Sequence, residues 1–464
     1  MISWLLSSTK SKKRQQLFFH ILLGWLSLYS PLPFILWFYL TLLAFTKKIF
    51  SSSGEKAVFW ILTLLLYTSA FELLGRMSRA SPIVPYELGK YITFLFTIIG
   101  IIKARRINPI GLWLVLFLIP GILVGLPYYT SYKDISFNVL GTINLGLGLA
   151  MLGYLRLNTN QLLKLLRLMI LPMISILAYS IIRTPDLSSF DFDYQANEIV
   201  GGFGSNQVST VYGLAVLLLF ILYINQFRFS GFGKNMDLGL LGLFILFGLF
   251  TFSRGGMIGA TLGILLTLFY QFKLGRKKIR INVTKALILS IPIIVLSLFI
   301  ANSLTDGKLL LRYKGETYGT LYGHKKKDLN HLTTGRFLLL SEDLEVFSEN
   351  PILGVGVKQA MSARDKTKGI RTHVELGRLL SEHGLFGVLV ICIIFILLFR
   401  SYRKSLDNLF FSYLFVLYII GFYTTFHAAT RTFVSPLLMS MCVINYLKNK
   451  HESLTDYNKL AQQH

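Results

Sequence analysis

Long apolar runs separated by short polar stretches dominate the chain. A helix needs roughly 20 apolar residues to cross the hydrocarbon core of a bilayer, with a range of about 17–25. Fourteen runs are candidate spans: 15–29, 32–46, 57–74, 88–102, 110–126, 138–154, 165–182, 207–225, 238–252, 255–272, 286–303, 376–399, 409–425 and 431–447. Only the Ser30-Pro31 region separates the first two, which read either as two spans or as one re-entrant hairpin, so the count is 12 to 14. The runs are continuous and do not alternate, so they are helices and not barrel strands.

The expected fold is an all-α polytopic membrane protein of about 12–14 transmembrane helices, with one large outer loop carrying short amphipathic helices. The pattern divides the chain into N-terminal spans (1–183), central spans (184–303), the large loop (304–372), C-terminal spans (373–447) and a tail (448–464). A basic stretch from Lys10 to Arg14 precedes the first span without a small-residue cleavage site after it. That reads as an uncleaved anchor. No repeat of 20–50 residues is visible.

Composition agrees with this pattern. The 464 residues are 53% hydrophobic and 15% charged, whereas a soluble domain carries roughly 25% charged residues. A disordered chain, a secreted disulfide scaffold and an ordinary cytosolic enzyme are excluded. The two cysteines, Cys392 and Cys442, stand in separate apolar runs and form no CxxC pair, so neither a zinc site nor a redox pair is supported.

The net charge of +25 would suggest nucleic acid in a soluble protein. Here it sorts by topology. With the N-terminus in the cytoplasm and fourteen alternating spans, the inner segments hold 27 Lys and Arg against 5 acids, and the outer ones hold 20 against 17. Every short inner loop then obeys the positive-inside rule, with both termini cytoplasmic. No nucleic-acid partner is needed to explain the charge.

Candidate chemistry gathers on the outer side. In the large loop, Phe337, Leu340, Leu344 and Phe347 recur at helical spacing, with Glu342, Asp343, Glu345 and Glu349 on the other face. Thr333 and Thr334 are candidate N-caps, and Asn350-Pro351 ends the helix. This reads as an amphipathic helix at the outer membrane surface, although an ordinary surface helix has the same pattern. Gly354 and Gly356 follow, where backbone turns tightly or approaches a ligand.

Thr372 and Glu375 have capping-box spacing, so a helix is expected to begin at His373 and stop at Gly384. The helix N-terminus and Arg371 both disfavour the imidazolium, leaving a neutral His373 able to accept a proton. A histidine that only finishes a cap would look the same.

Arg254 sits with Ser253, Gly255 and Gly256 in an otherwise apolar stretch, at a tight outer turn. An Arg at membrane depth must be paired or reach water, and guanidinium matches phosphate oxygens. A snorkelling anchor is the plainer account, but anchors of this kind are expected inside. Arg431 and His427 occupy another outer turn, Arg183 ends a span, and Arg336 opens the amphipathic helix. The acids Asp186, Asp191, Asp193 and Glu198 lie in a second outer loop. His324 beside three lysines reads as a solvated loop. The histidines show no HExxH pattern, and no P-loop, GxGxxG or GxSxG motif is present.

Four segments in order resemble the O-antigen ligase and polymerase superfamily of bacterial membrane glycosyltransferases. They are GGFGSNQVSTVYGLAVLLLF, FTFSRGGMIGATLGILL, TTGRFLLLSEDLEVFSENPILGVGVKQA and THVELGRLLSEHGLFGVL, covering roughly 200–400. Two departures stand out: Val374 follows the loop histidine where the family often has Asn, and the loop helix lacks Trp.

The resemblance implies an inverting, metal- and nucleotide-independent transfer with no cofactor. The donor is a glycan on undecaprenyl diphosphate at the outer face of the inner membrane, and the acceptor is a sugar hydroxyl. It implies catalytic roles for His373 and Arg254 and substrate-binding roles for Asn206, Arg336, Arg371 and Arg431. The long N-terminal half favours polymerisation of O-antigen or exopolysaccharide repeat units, with a chain-length regulator as a further candidate partner. The alternative is a ligase that passes the chain to lipid A–core. A lipid-linked oligosaccharide flippase or transporter would need ionisable groups along its spans, which are nearly charge-free here. A peptidoglycan polymerase centred on an outer-loop Asp is a remaining alternative.

Overall fold

A computed structural model describes residues 1–129, 131–184, 204–274, 277–316, 318–324, 330, 333, 335–370, 374–427 and 434–448. The main helices are α1 (Lys10–Tyr29), α2 (Leu32–Phe50), α3 (Gly54–Thr68), α4 (Leu88–Lys103), α5 (Pro109–Gly125), α6 (Tyr132–Leu152) and α7 (Thr159–Arg183). They continue as α8 (Ser205–Ile224), α9 (Lys234–Phe250), α10 (Arg254–Leu274), α11 (Lys277–Leu304), α12 (Arg336–Glu349), α13 (Glu375–Ser405), α14 (Leu409–His427) and α15 (Val434–Ser440).

Among the described residues, nine helices are long and apolar enough to cross a membrane. The protein is a multi-pass, all-helical membrane protein. The other predicted spans fall on α1, α4, α9, α11 and α15, of which Ile291–Leu304 in α11 and Val434–Val443 from α15 onward are shorter apolar stretches among the described residues. The last run, 431–447, does not form one continuous helix. α15 gives way to a short 3-10 turn and then to a two-residue strand, β2 (Asn445–Tyr446), parallel to β1 (Arg156–Leu157).

Local sequence sets several helix starts. Asn108 caps α5 by accepting from the Ile110 N–H at 3.2 Å, and Pro109 follows at a position where no N–H is required. Asn158 and Gln161 form a reciprocal capping box at α7. α7 and α8 are buried around nearly their whole circumference, as expected of helices at the centre of a bundle. α2 and α5 keep apolar side chains such as Leu36, Leu43, Trp113 and Leu123 on the outside, where lipid satisfies them.

The two ends of the bundle differ in charge. At one end, cations from the segments that the charge count groups together tie neighbouring turns by donating to carbonyls. Arg14 Nε reaches Gly231 O at 3.1 Å, Lys103 Nζ reaches Phe50 O at 3.1 Å, and Arg167 Nε reaches Phe229 O at 2.9 Å. The opposite end carries Asn206, Arg254 and Arg336.

Two expectations for the loop region change. α13 begins at Glu375, after Val374, and not at His373. Glu375 accepts from Thr142 Oγ1 at 2.7 Å and pairs with Arg378, which also binds Glu382 at 2.9 Å, while Thr372 lies outside the described residues. Gly384 does not stop the helix but kinks it, with φ 56° and ψ −133°. The segment 352–357 docks on this kink by backbone alone. Leu385 N–H donates to Ile352 O, Val355 N–H to Ser381 O, and Gly356 N–H to Glu382 O. A Cβ on Gly384 would lie 2.6 Å from Gly354 N, and one on Gly354 would lie 2.5 Å from Glu382 C. These glycines therefore serve contact between protein backbones, not a ligand.

α12 spans the predicted residues, but its acids are not all solvated. Its buried face is Leu339, Glu342, Asp343 and Val346, while Phe337 and Leu344 are exposed. The acids are inside because the segment 364–367 folds over them. Arg364 donates to Asp343 at 2.9 and 2.6 Å, both side chains fully buried. Glu342 accepts from the N–H groups of Lys366 and Thr367 at 2.6 and 2.9 Å, and from the Thr367 hydroxyl. Burial alone would raise the Glu342 pKa, but these bonds and Arg364 hold it below the ordinary 4.5.

A Gly384→Ala substitution should destabilise the protein by about 1–3 kcal/mol through backbone strain, with added crowding against 352–354, and should lower Tm in detergent. The lowered Glu342 pKa makes its contribution to stability complete above the carboxylate range and lost as pH falls through the folded-state value. Acidification below the ordinary value of 4.5 should therefore lower Tm less in Glu342→Gln than in the parent protein. An equal fall in both would remove Glu342 as a source of the acid sensitivity.

Candidate active site

α8 and α10 cross at glycines. A Cβ on Gly256 would lie 2.0 Å from Ser209 O, and one on Gly213 would lie 2.1 Å from Gly256 O. Only hydrogen in place of a side chain permits this approach. The glycine following Ser253-Arg254-Gly255 is thus explained by helix packing.

The crossing places the first turn of α8 against the turn entering α10. Ser253 Oγ donates to Asn206 Oδ1 at 2.7 Å, and Ser209 Oγ donates to Ser253 O at 2.7 Å. Ser253 N–H donates to Thr251 Oγ1 at 3.2 Å, and Phe252 between them takes a left-handed φ of 52°. A non-glycine residue held there costs energy that surrounding contacts must offset. Here the turn fixes the direction in which Arg254 leaves the bundle.

A cavity of about 280 Å³ lies beside this turn, lined by Ser205, Asn206, Phe252, Ser253, Arg254, Gly255, Arg312 and Arg336. Three helices begin at its wall: α8 at Ser205, α10 at Arg254 and α12 at Arg336. Each helix N-terminus carries roughly +0.5 charge, although the first N–H groups of α12 already donate to Thr333 and Asn330. Three guanidinium groups share the same wall. This combination suits an anion with several oxygens.

Arg336 is largely buried. Among the described residues, its Nη1 and Nη2 reach only the carbonyls of Thr333 and His427, each at 3.4 Å. Among the described residues no carboxylate pairs with Arg336. Burial pushes its pKa down, and of the charged neighbours Tyr423 opposes this shift while Arg254 and Arg312 add to it. An entering anion would relieve that repulsion.

His427 closes one side at the end of α14. Its Nε2 shares a hydrogen bond with Thr210 Oγ1 at 3.1 Å, and a Cβ on Gly255 would meet its ring at 2.6 Å.

Asn206, Arg254 and Arg336, which are far apart in the sequence, therefore meet at one cavity. Arg312, on the short helix Lys308–Tyr313, was not singled out from the sequence. The only hint was an arginine following three leucines in the large loop. Arg183 lies elsewhere, with Nη1 on Tyr179 Oη at 2.8 Å. His383 is buried against Gly121, away from the cavity lining. Arg371, His373, Arg431, His331 and the acids Asp186, Asp191, Asp193 and Glu198 lie outside the described residues.

Comparison of the chain with curated proteins gave no match. Residues 238–392 match the family model described as O-antigen ligase. The matched stretch contains Arg254, Arg312, Arg336 and the Gly384 kink of α13, while Asn206 precedes it. The protein is thus a multi-pass membrane protein that carries an O-antigen ligase family domain over residues 238–392.

Proposed function

We propose that the protein transfers a glycan from undecaprenyl diphosphate to a sugar hydroxyl at the outer face of the inner membrane, polymerising O-antigen or exopolysaccharide repeat units. The observation that carries this reading is the cavity where Asn206, Arg254, Arg312 and Arg336 meet at three helix N-termini. Cleaving the glycosyl bond leaves its electron pair on a diphosphate oxygen, so negative charge grows on the leaving group. Preorganised cations aimed at that position stabilise the transition state more than the ground state.

In this reading Arg254, Arg312 and Arg336 hold the diphosphate, with Arg371 and Arg431 assisting. Asn206, fixed by Ser253, hydrogen-bonds the donor or acceptor. The acceptor oxygen attacks the anomeric carbon from the opposite face, giving inversion, and its proton passes to a neutral His373. Phe337 and Leu344, exposed on α12, border the approach of the lipid chain. The reaction needs neither metal nor nucleotide. The charge count supports cytoplasmic termini and an outward site. The description of the matched family as O-antigen ligase supports a second reading, transfer of the finished chain to lipid A–core.

Purified protein given undecaprenyl-diphosphate repeat units, without nucleotide or divalent metal, should yield a ladder of lengthening glycans. A single transfer to lipid A–core identifies the ligase instead, and transbilayer lipid movement without transfer overturns the enzyme. Arg254→Ala and Arg336→Ala should each lower turnover by roughly 10²-fold or more, the scale of a lost transition-state charge contact. His373→Ala should do the same, with expression unchanged. Full turnover in all three variants would remove this site assignment.

A further inference from the structure

At the cation-rich end of the bundle, opposite the arginine cavity, lies a second cavity of about 520 Å³. Lys56, Arg105, Arg106 and Arg156 line it, together with apolar Val58, Met151 and Leu155. Its frame is tied down. Lys103 Nζ reaches the carbonyls of Phe50 and Ser52 at 3.1 and 3.4 Å. Asn445 N–H donates to Leu155 O at 2.9 Å, through the β1–β2 ladder that carries Arg156. Arg105 passes over Gly54, whose Cβ position lies 3.8 Å from Arg105 Nε.

Several other cations at this end have protein acceptors or aromatic faces. Lys13 donates to Arg228 O, Arg14 to Gly231 O and Arg167 to Phe229 O. Arg403 and Lys404 lie over the rings of Phe399 and Phe411, each at 5.6 Å. By contrast, among the described residues the side chains of Lys56, Arg105, Arg106 and Arg156 make no hydrogen bond or ion pair with the protein. The one acid in the lining, Glu55, accepts the backbone N–H of Arg156 at 2.6 Å. The cavity also receives the N-terminus of α3, where the Ser53 side chain supplies no cap.

We propose that this cavity binds a phosphate group, presented as the headgroup of an anionic phospholipid in the adjoining leaflet. The four cations and the α3 N–H groups hold the phosphate oxygens. Val58, Met151 and Leu155 give the glycerol and upper acyl carbons an apolar floor. A free phosphate would use the same cations but gain nothing from that floor. The site is independent of the glycan-transfer cavity, so it stands or falls separately from the proposed reaction.

Native mass spectrometry of the full chain in detergent tests this with phosphatidylglycerol as probe, and titration calorimetry tests inorganic phosphate. Phosphatidylglycerol should be retained, and the double variant Arg105→Gln/Arg156→Gln should weaken retention roughly thirtyfold. Ala104→Trp fills the cavity while keeping all four cations and should also abolish retention, with Ala104→Leu used if the Trp variant fails to elute as folded protein. Arg400→Gln/Arg403→Gln, at the same end but outside this cavity, should leave retention unchanged. Phosphate binding that responds to these variants without lipid retention keeps the site and assigns it to the free anion. Binding of neither probe overturns the proposal. So does retention lost only in the charge variant, because that is diffuse surface attraction.

Discussion

The close backbone crossing of α8 and α10 underlies the arrangement of the end that carries the arginine cavity. In lipid there is no strong hydrophobic drive between helices, so packing distance decides association. Gly213 and Gly256 let two backbones touch where any side chain would separate them. The contact brings Asn206 beside Ser253 and points Arg254 into the same space as Arg336. Were the crossing wider by one methyl group, the Asn206–Ser253 bond and the shared cavity wall would both open.

A second constraint is electrostatic. Burial is the main cause of the lowered Arg336 pKa, and the nearby Arg254 and Arg312 at the same cavity add to it. The neighbouring structure holds them regardless. α12 is fastened through its buried acids, with Asp343 on Arg364 and Glu342 on the turn at 366–367. α13 is fastened through Glu375, Arg378 and Glu382, and through the backbone contacts at the Gly384 kink. Breaking a buried pair strands the remaining charge, so these contacts resist rearrangement even where their net contribution to stability is small. A site built on such supports stays organised for an anion before one arrives.

The two ends of the molecule use cations differently. At one end, guanidinium groups face a cavity. At the other end, Arg14, Lys103 and Arg167 close loops by donating to carbonyls, and a smaller set around Arg105 and Arg156 faces space. Both patterns follow from one property: a long cationic side chain buries its stem in apolar surroundings and carries its charge to whatever oxygen is in reach.

The hydrophobic pattern alone was enough to read the helical membrane fold, because lipid forces each long apolar run to satisfy its own backbone. The charge distribution along the loops separated the two groups of helix ends, and the segment carrying Ser253-Arg254 stood out because an Arg in such a run needs a reason. Sequence pattern did not show which face of α12 is buried, since that depends on the 364–367 segment supplying donors to Glu342 and Asp343. It did not show that Gly354 and Gly384 meet each other, or that Arg312 joins the cavity. It also placed a continuous helix over 431–447, where α15 gives way to a 3-10 turn and then to a strand paired with β1. Periodicity reports what one segment needs to bury or satisfy. Which partner does so is fixed only when distant segments pack, and that is where the tertiary structure decided the site.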